Sequence, residues 1–204
     1  MTASRERKGK ISIVLMASGS GNRYGSNKLL ESFRGRPLFT YGLHRALESG
    51  ADQICVVTRF HEIREYAEQF SSGGKVQVVW NAHPERGISE SLRLGLDAET
   101  ESDGCCFMVC DQPLLSADTL RRMFDTFHKY PDRICVCGWQ GRPGNPALFP
   151  RELYGELRSL RGDQGGRQVM RRYPERILEI PVGRPEELWD VDYEADLAIM
   201  SKTL

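Results

Sequence analysis

Three glycines, an arginine and a lysine crowd into one short stretch, Ala17-Ser-Gly-Ser-Gly-Asn-Arg-Tyr-Gly-Ser-Asn-Lys28. Glycines let a backbone turn sharply and present N–H groups to an anion. Arg23 and Lys28 bring positive charge to the same place, so the chemistry suggested is phosphate binding. It is not a Walker A loop, because no Gly-Lys-Ser/Thr follows. The spacing Gly19-x-Gly21-x-x-x-Gly25 is not the dinucleotide fingerprint, and Ser20 is not in a G-x-S-x-G elbow. An ordinary βα loop can have the same composition. A second candidate is Asp111, in Cys110-Asp-Gln-Pro113 at the end of an apolar run. There a carboxylate can hold a divalent cation, or simply form an Asx-turn. A third is Trp189-Asp-Val-Asp-Tyr-Glu-Ala-Asp-Leu197, where Asp190 and Asp192 alternate. By type alone, Asp192 reads as the N-cap of a final helix. His44, His61, His83 and His128 form no HExxH or HxH pair, and Cys135-x-Cys137 lacks zinc spacing.

The elements that must position these residues alternate along the chain. Ile11–Ala17, Gln53–Thr58, Lys75–Trp80, Cys105–Cys110 and Ile134–Cys137 read as strands, with later strands at Pro146–Phe149 and Ile177–Val182. Between them fall helical patterns. One opens behind Pro37 and stops at Gly50; others cover His61–Phe70, Gly87–Ala98 and a stretch N-capped by Ser116. The last third adds Arg151–Leu160, Gly165–Arg172 and Asp192–Met200, while Gly138–Gly144 reads as a Gly-rich loop. Such alternation predicts an α/β fold with a mostly parallel sheet covered by helices on both faces. Ligands bind such sheets at the carboxyl ends of the strands, where the loops above lie.

The chain has 204 residues, with 28 Lys+Arg against 28 Asp+Glu and a formal net charge of 0. That balance argues against a nucleic-acid partner, which calls for a basic excess. No apolar run reaches the roughly 20 residues that span a bilayer, so no membrane role is expected. The basic stretch 1–10 lacks a signal-peptide pattern and is expected to be a flexible N-terminus of one domain over 1–204. Cys55, Cys105, Cys106, Cys110, Cys135 and Cys137 read as buried, reduced thiols of a cytoplasmic protein.

Met16-Ala-Ser-Gly-x-x-x-Arg23-x-Gly25-x-x-Lys28 directly after a strand resembles the L-A-A-G-x-x-x-R-x-G-x-x-K signature of the nucleotidyltransferases. Cys110-Asp-Gln-Pro113 resembles their G-D-x-P element, and Asp190-Val-Asp192 the D-[IV]-D of the molybdenum cofactor branch. Asn81 and Gly87-Ile-Ser-Glu-Ser-Leu-Arg-Leu-Gly-Leu96 are similar to G-[MI]-x-x-S-L-x-x-G-L. Gly144-Asn-Pro-Ala-Leu-Phe149 and Leu160-Arg-Gly-Asp-Gln-Gly-Gly-Arg167 resemble segments of the cytidylyl branch. Alone, each is a plausible turn or cap; together they run in family order over residues 11–197. Ser18, Cys110, Tyr193 and Glu194 depart from the patterns.

The resemblance, to molybdenum cofactor cytidylyltransferases and other MobA-like NTP transferases, implies a single Rossmann-like domain. It implies a nucleotide site of Ala17, Ser18, Gly19, Ser20, Gly21, Arg23, Lys28, Asn81, Gly87, Ser89 and Ser91, and Mg²⁺ on Asp111 with Asp192 or Asp190. Asn145, Pro146, Gly162, Asp163 and Arg167 would face the acceptor, and Arg23, Lys28 and Asp111 would be catalytic. The implied reaction transfers CMP from CTP to the phosphate of molybdopterin, giving molybdopterin cytosine dinucleotide and pyrophosphate, with a molybdenum hydroxylase as client. Guanylyl transfer, transfer to a sugar or alditol phosphate, and a non-catalytic cofactor-binding chaperone are the alternatives. A phosphomonoester is already largely a dianion at neutral pH, so the absence of a His- or Cys-based constellation suits this chemistry.

Overall fold

The computed structural model describes residues 8–19, 27–99 and 101–203. Ser20, Gly21 and Arg23 of the Gly-rich loop lie outside the described residues, as do residues 1–7 of the basic N-terminus. The first strand, β1 (Ile11–Ala17), is buried along almost its whole length, as an uninterrupted apolar run requires. A two-residue hairpin follows, β2 (Ser32–Phe33) with β3 (Arg36–Pro37). Helix α1 (Leu38–Glu48) starts directly behind Pro37, whose missing N–H costs nothing at a helix start. Then come β4 (Gln53–Thr58), α2 (His61–Glu68), β5 (Val76–Trp80), α3 (Ile88–Ala98) and β6 (Gly104–Val109). Helix α4 (Ala117–Lys129) is capped as expected, the Ser116 hydroxyl accepting from the Thr119 N–H at 3.1 Å. The remainder is β7 (Ile134–Trp139), β8 (Arg142–Pro150), α5 (Tyr154–Ser159), α6 (Arg167–Arg172), β9 (Ile177–Pro181) and α7 (Glu194–Lys202).

Seven strands form one sheet in the order β5-β4-β1-β6-β8-β7-β9. Neighbours β5, β4, β1 and β6 are parallel, and so are β7 and β9; β8 runs antiparallel to both β6 and β7. The alternation of β1 feeds two cores. Ile13 and Leu15 pack with Leu43 of α1, Ile63 of α2 and Met123 of α4. Val14 points the other way, to Leu92 of α3, Leu157 of α5 and Val169 of α6. The sheet is therefore mostly parallel with helices on both faces, as the alternation predicted. Among the described residues no helix is long and apolar enough to cross a membrane.

Three expectations need correction. Gly138–Gly144 is a hairpin rather than a loop: β7 turns into β8 at Gln140 and Gly141, both with positive φ (52° and 78°). That is the backbone a tight hairpin of this hand demands. The helix expected over Arg151–Leu160 is a 3-10 turn, Arg151–Leu153, followed by α5. The last helix begins at Glu194 and not at Asp192. Its orphan N–H groups are met by Asp196, whose carboxylate accepts from the N–H of Asp192 at 2.8 Å and of Tyr193 at 2.7 Å.

Candidate active site

The candidate residues collect at the carboxyl ends of β1 and β6, which lie side by side with Met16 opposite Val109. The root of the Gly-rich loop is pinned to β4. Ser18 donates its hydroxyl to the Val57 carbonyl at 3.1 Å, and Thr58 donates to the Ala17 carbonyl at 3.0 Å. The described chain resumes at Asn27, whose side chain caps a 3-10 turn over Lys28–Leu30. That turn aims Lys28 across the strand ends.

The Lys28 ammonium donates to Asp111 Oδ2 at 2.6 Å and to the Val191 carbonyl at 2.7 Å, and it stands 3.7 Å from Asp192 Oδ1. Val191 explains why the aspartates on either side are available. Its side chain is fully buried with Phe33, Leu38, Leu114 and Met200, and its N–H donates to the Asp111 carbonyl at 2.9 Å. The apolar residue is the peg, and Asp190 and Asp192 splay from it beside Asp111. Asp190 is exposed as a residue, yet its carboxyl is hemmed in by protein. That loss of water, with the charges of Asp111 and Asp192 added, pushes its pKa up to about 6. A hydrogen bond from Gln112 and the charge of Lys28 pull the other way.

Three carboxylates thus face one ammonium. Asp111 Oδ1 is buried without a hydrogen-bond partner among the described residues, an expensive condition for a carboxylate oxygen. Both facts fit a divalent cation held jointly by protein and phosphate oxygens. No three of these groups converge into a self-sufficient metal cluster among the described residues. Mg²⁺ ordinarily needs only one or two carboxylates beside substrate phosphates.

Next to this cluster is a cavity of about 320 Å³. Its floor is the sheet: Met16 of β1, Phe107 and Val109 of β6, and Ala147 and Phe149 of β8. Ile88 and Leu92 of α3 form one wall. Asn145, Asp163 and Arg167 also line it, so three of the five residues expected to face the acceptor meet around one space. Pro146 follows Asn145 through a cis peptide bond. Gly162 lies against Gly87, the residue before α3: a Cβ on Gly87 would stand 2.4 Å from the Gly162 carbonyl carbon. The Ser89 N–H then donates to the Gly162 carbonyl at 3.1 Å. Asn81 and Ser91 are buried and engaged locally, Asn81 Nδ2 donating to Ser91 Oγ at 3.4 Å and Oδ1 accepting from the His83 N–H.

One residue that organises the site carried no sequence signal. Glu187 is buried, and its carboxylate accepts from the Ser116 N–H at 3.0 Å, the Thr119 hydroxyl at 2.7 Å and the Gly183 N–H at 3.0 Å. It clamps the segment carrying Asp190 and Asp192 onto the start of α4. Only contacts about 70 positions apart reveal it. The six cysteines are buried and unbridged. Burial pushes Cys105 and Cys135 up to about 12, so these thiols are not nucleophiles at neutral pH.

Comparison with known proteins finds relatives of the whole fold. The purine catabolism protein PucB of Bacillus subtilis is 28% identical over 165 residues, 78% of this chain and 79% of its own. A protein named probable molybdenum cofactor guanylyltransferase, from Nostoc, is 25% identical over 200 residues, 93% of this chain and 90% of its own. The crystal structure of Rv0371c from Mycobacterium tuberculosis H37Rv superposes with a TM-score of 0.78 at 29% identity, covering 96% of this chain and all of that one. The same protein has also been solved in complex with manganese. The model of the MobA-like NTP transferase domain matches residues 13–177, and the chain belongs to that family.

Proposed function

We propose that the protein transfers a nucleoside monophosphate from an NTP to the phosphate of molybdopterin, releasing pyrophosphate. The observation that carries this reading is the Lys28 ammonium set between Asp111 and Asp192 beside a separate, mostly apolar cavity. One place suits a triphosphate and the other an acceptor. In the reaction an acceptor phosphate oxygen forms a bond to the α-phosphorus of the NTP, the bond from that phosphorus to the α,β-bridging oxygen breaks, and pyrophosphate departs. Because the acceptor phosphate is already largely a dianion, no side chain need take a proton from it.

The protein's work is positioning and charge cancellation. Lys28, and Arg23 by the resemblance, offset the triphosphate. Asp111 and Asp192 would hold Mg²⁺, which when bound neutralises charge on the phosphates and the leaving group. A relative solved with manganese supports a divalent ion. Val191 and Glu187 hold the aspartates in place. The elements Gly144-Asn145-Pro146 and Gly162-Asp163 favour CTP as donor. The relatives named as molybdenum cofactor guanylyltransferases favour GTP at least as strongly, and guanylyl transfer is the second reading. A thermal-shift panel of CTP, GTP, UTP and ATP with Mg²⁺ separates them. Stabilisation by CTP above the rest supports cytidylyl transfer, stabilisation by GTP alone replaces it with guanylyl transfer, and no stabilisation by any NTP contradicts both. A molybdenum hydroxylase client would receive the product.

A further inference from the structure

The cavity beside the aspartates has a feature at its mouth that the motifs do not include. Arg171 lines it together with Arg167, and the two are one helical turn apart on α6. Residues at this spacing share a face, and like charges there repel. The surrounding arginines have carboxylate partners: Arg172 pairs with Glu156 at 2.8 Å, and Arg158 with Asp97 at 2.9 Å. Among the described residues, neither the Arg167 nor the Arg171 side chain forms a hydrogen bond or an ion pair, and both residues are exposed. Asp163, on the same rim, leans on Gly87 and pairs with neither.

The face these arginines present is held in place. Gly166 sits directly before α6, and a Cβ there would stand 2.7 Å from the Phe149 ring, so the helix starts pressed against the cavity floor. Val109 on that floor, the last residue of β6, comes two residues before Asp111, so at most about 7 Å separates them along the chain. An apolar floor, two uncompensated guanidiniums at the rim and the Lys28–Asp111 pair nearby suit a ligand that joins an apolar surface to a phosphate.

We propose that Arg171, acting with Arg167, grips the acceptor's phosphate as a two-pronged clamp. The role in transfer rests on the proposed nucleotidyltransferase reading; the binding of phosphate does not. Guanidiniums suit the task because their planar donors meet phosphate oxygens in pairs.

The test uses the full chain and inorganic phosphate as probe, following arginine Nε–Hε resonances by NMR. Assignment comes from Arg167→Lys and Arg171→Lys. The two signals should move together along one saturating curve. Arg171→Ala should weaken phosphate binding about tenfold, the scale of one charge-assisted contact. Arg171→Lys should recover part of the loss, and the thermal shift given by CTP or GTP should stay as in the unaltered protein. If phosphate moves neither resonance, or Arg171→Ala leaves its affinity unchanged, the clamp is refuted. If phosphate binds here but no NTP supports transfer to a phosphorylated acceptor, the transferase reading fails and the clamp stands.

Discussion

Placing a methyl group on Gly87 tests how tightly the segment before α3 is held against the loop at Gly162. Gly87 has φ 80° and ψ −170°, a backbone region essentially reserved for glycine. An alanine Cβ would fall 2.4 Å from the Gly162 carbonyl carbon, 2.5 Å from its oxygen and 2.6 Å from Asp163 Oδ1. Two of those atoms are backbone and cannot swing aside. The conformational strain costs about 1–3 kcal/mol. Relieving the overlap by moving the loop costs about 1–3 kcal/mol more, and losing the bond from the Ser89 N–H to the Gly162 carbonyl adds about 1 kcal/mol. Gly87→Ala should therefore destabilise the fold by about 3–7 kcal/mol. At roughly 2–4 °C per kcal/mol for a chain of this size, Tm should fall by about 6–28 °C. Gly155 of α5 is the control, since a Cβ there meets nothing within 4 Å. Gly155→Ala should be neutral or stabilising by up to about 1 kcal/mol. Thermal unfolding followed by circular dichroism reads both. A Gly87→Ala protein melting within about 2 °C of the unaltered one would refute the rigid contact from which the loss is worked out.

Asp111→Asn keeps the shape of the side chain and removes the charge facing Lys28. Turnover should drop at least about a hundredfold with the circular dichroism spectrum unchanged; turnover near the unaltered level would contradict the role given to Asp111. Glu187→Gln puts an amide NH₂ among three donors. It should cost about 2 kcal/mol of stability in a urea titration, whereas an unchanged midpoint would show that the clamp on α4 carries no load. Glu99 is buried, and that burial holds its carboxyl above the usual carboxylate range despite the bond from Gln77 Nε2 at 2.7 Å. The folded state thus binds the proton more readily than the unfolded one. The stability this group contributes is fully present below its unfolded pKa and is lost as pH rises through the folded pKa. Glu99→Gln, always neutral, should melt higher than the unaltered protein at pH 8, with the advantage gone below about pH 4. An equal difference at both pH values would contradict the assignment.

Much of the fold was legible because its strands are short and strongly apolar. Ile11–Ala17 and Gln53–Thr58 coincide with β1 and β4 to the residue, and Ser116 caps α4 as its type predicts. The β7–β8 hairpin was hidden by composition: Gly138, Gly141, Pro143 and Gly144 read as loop. The register nonetheless admits Pro143 opposite Gly138, next to an irregularity at Val136–Gly138 where regular pairing lapses. The start of α7 was misplaced because Asp192 has a cap's chemistry, while Asp196, reaching back from inside the helix, does the capping.

The site divides in the same way. Residue types alone left Asp111 open between a cation ligand and an Asx-turn and Asp192 as a helix cap; the resemblance singled out both as metal ligands, and the structure brings both to Lys28 across 83 and 164 positions. Local patterns carry no trace of contacts at that range. Glu187 and Arg171 went unread for this reason: one acts through a distant helix start, and the other gains meaning only from the cavity it borders.

The most direct test of the account is a single-turnover reaction with purified molybdopterin, Mg²⁺ and each NTP in turn, with products resolved by mass spectrometry. The account predicts a molybdopterin dinucleotide and one equivalent of pyrophosphate, with CTP or GTP preferred and both products lost in Asp111→Asn. Intact NTP and unmodified molybdopterin in every reaction, from protein that still binds both, would contradict it.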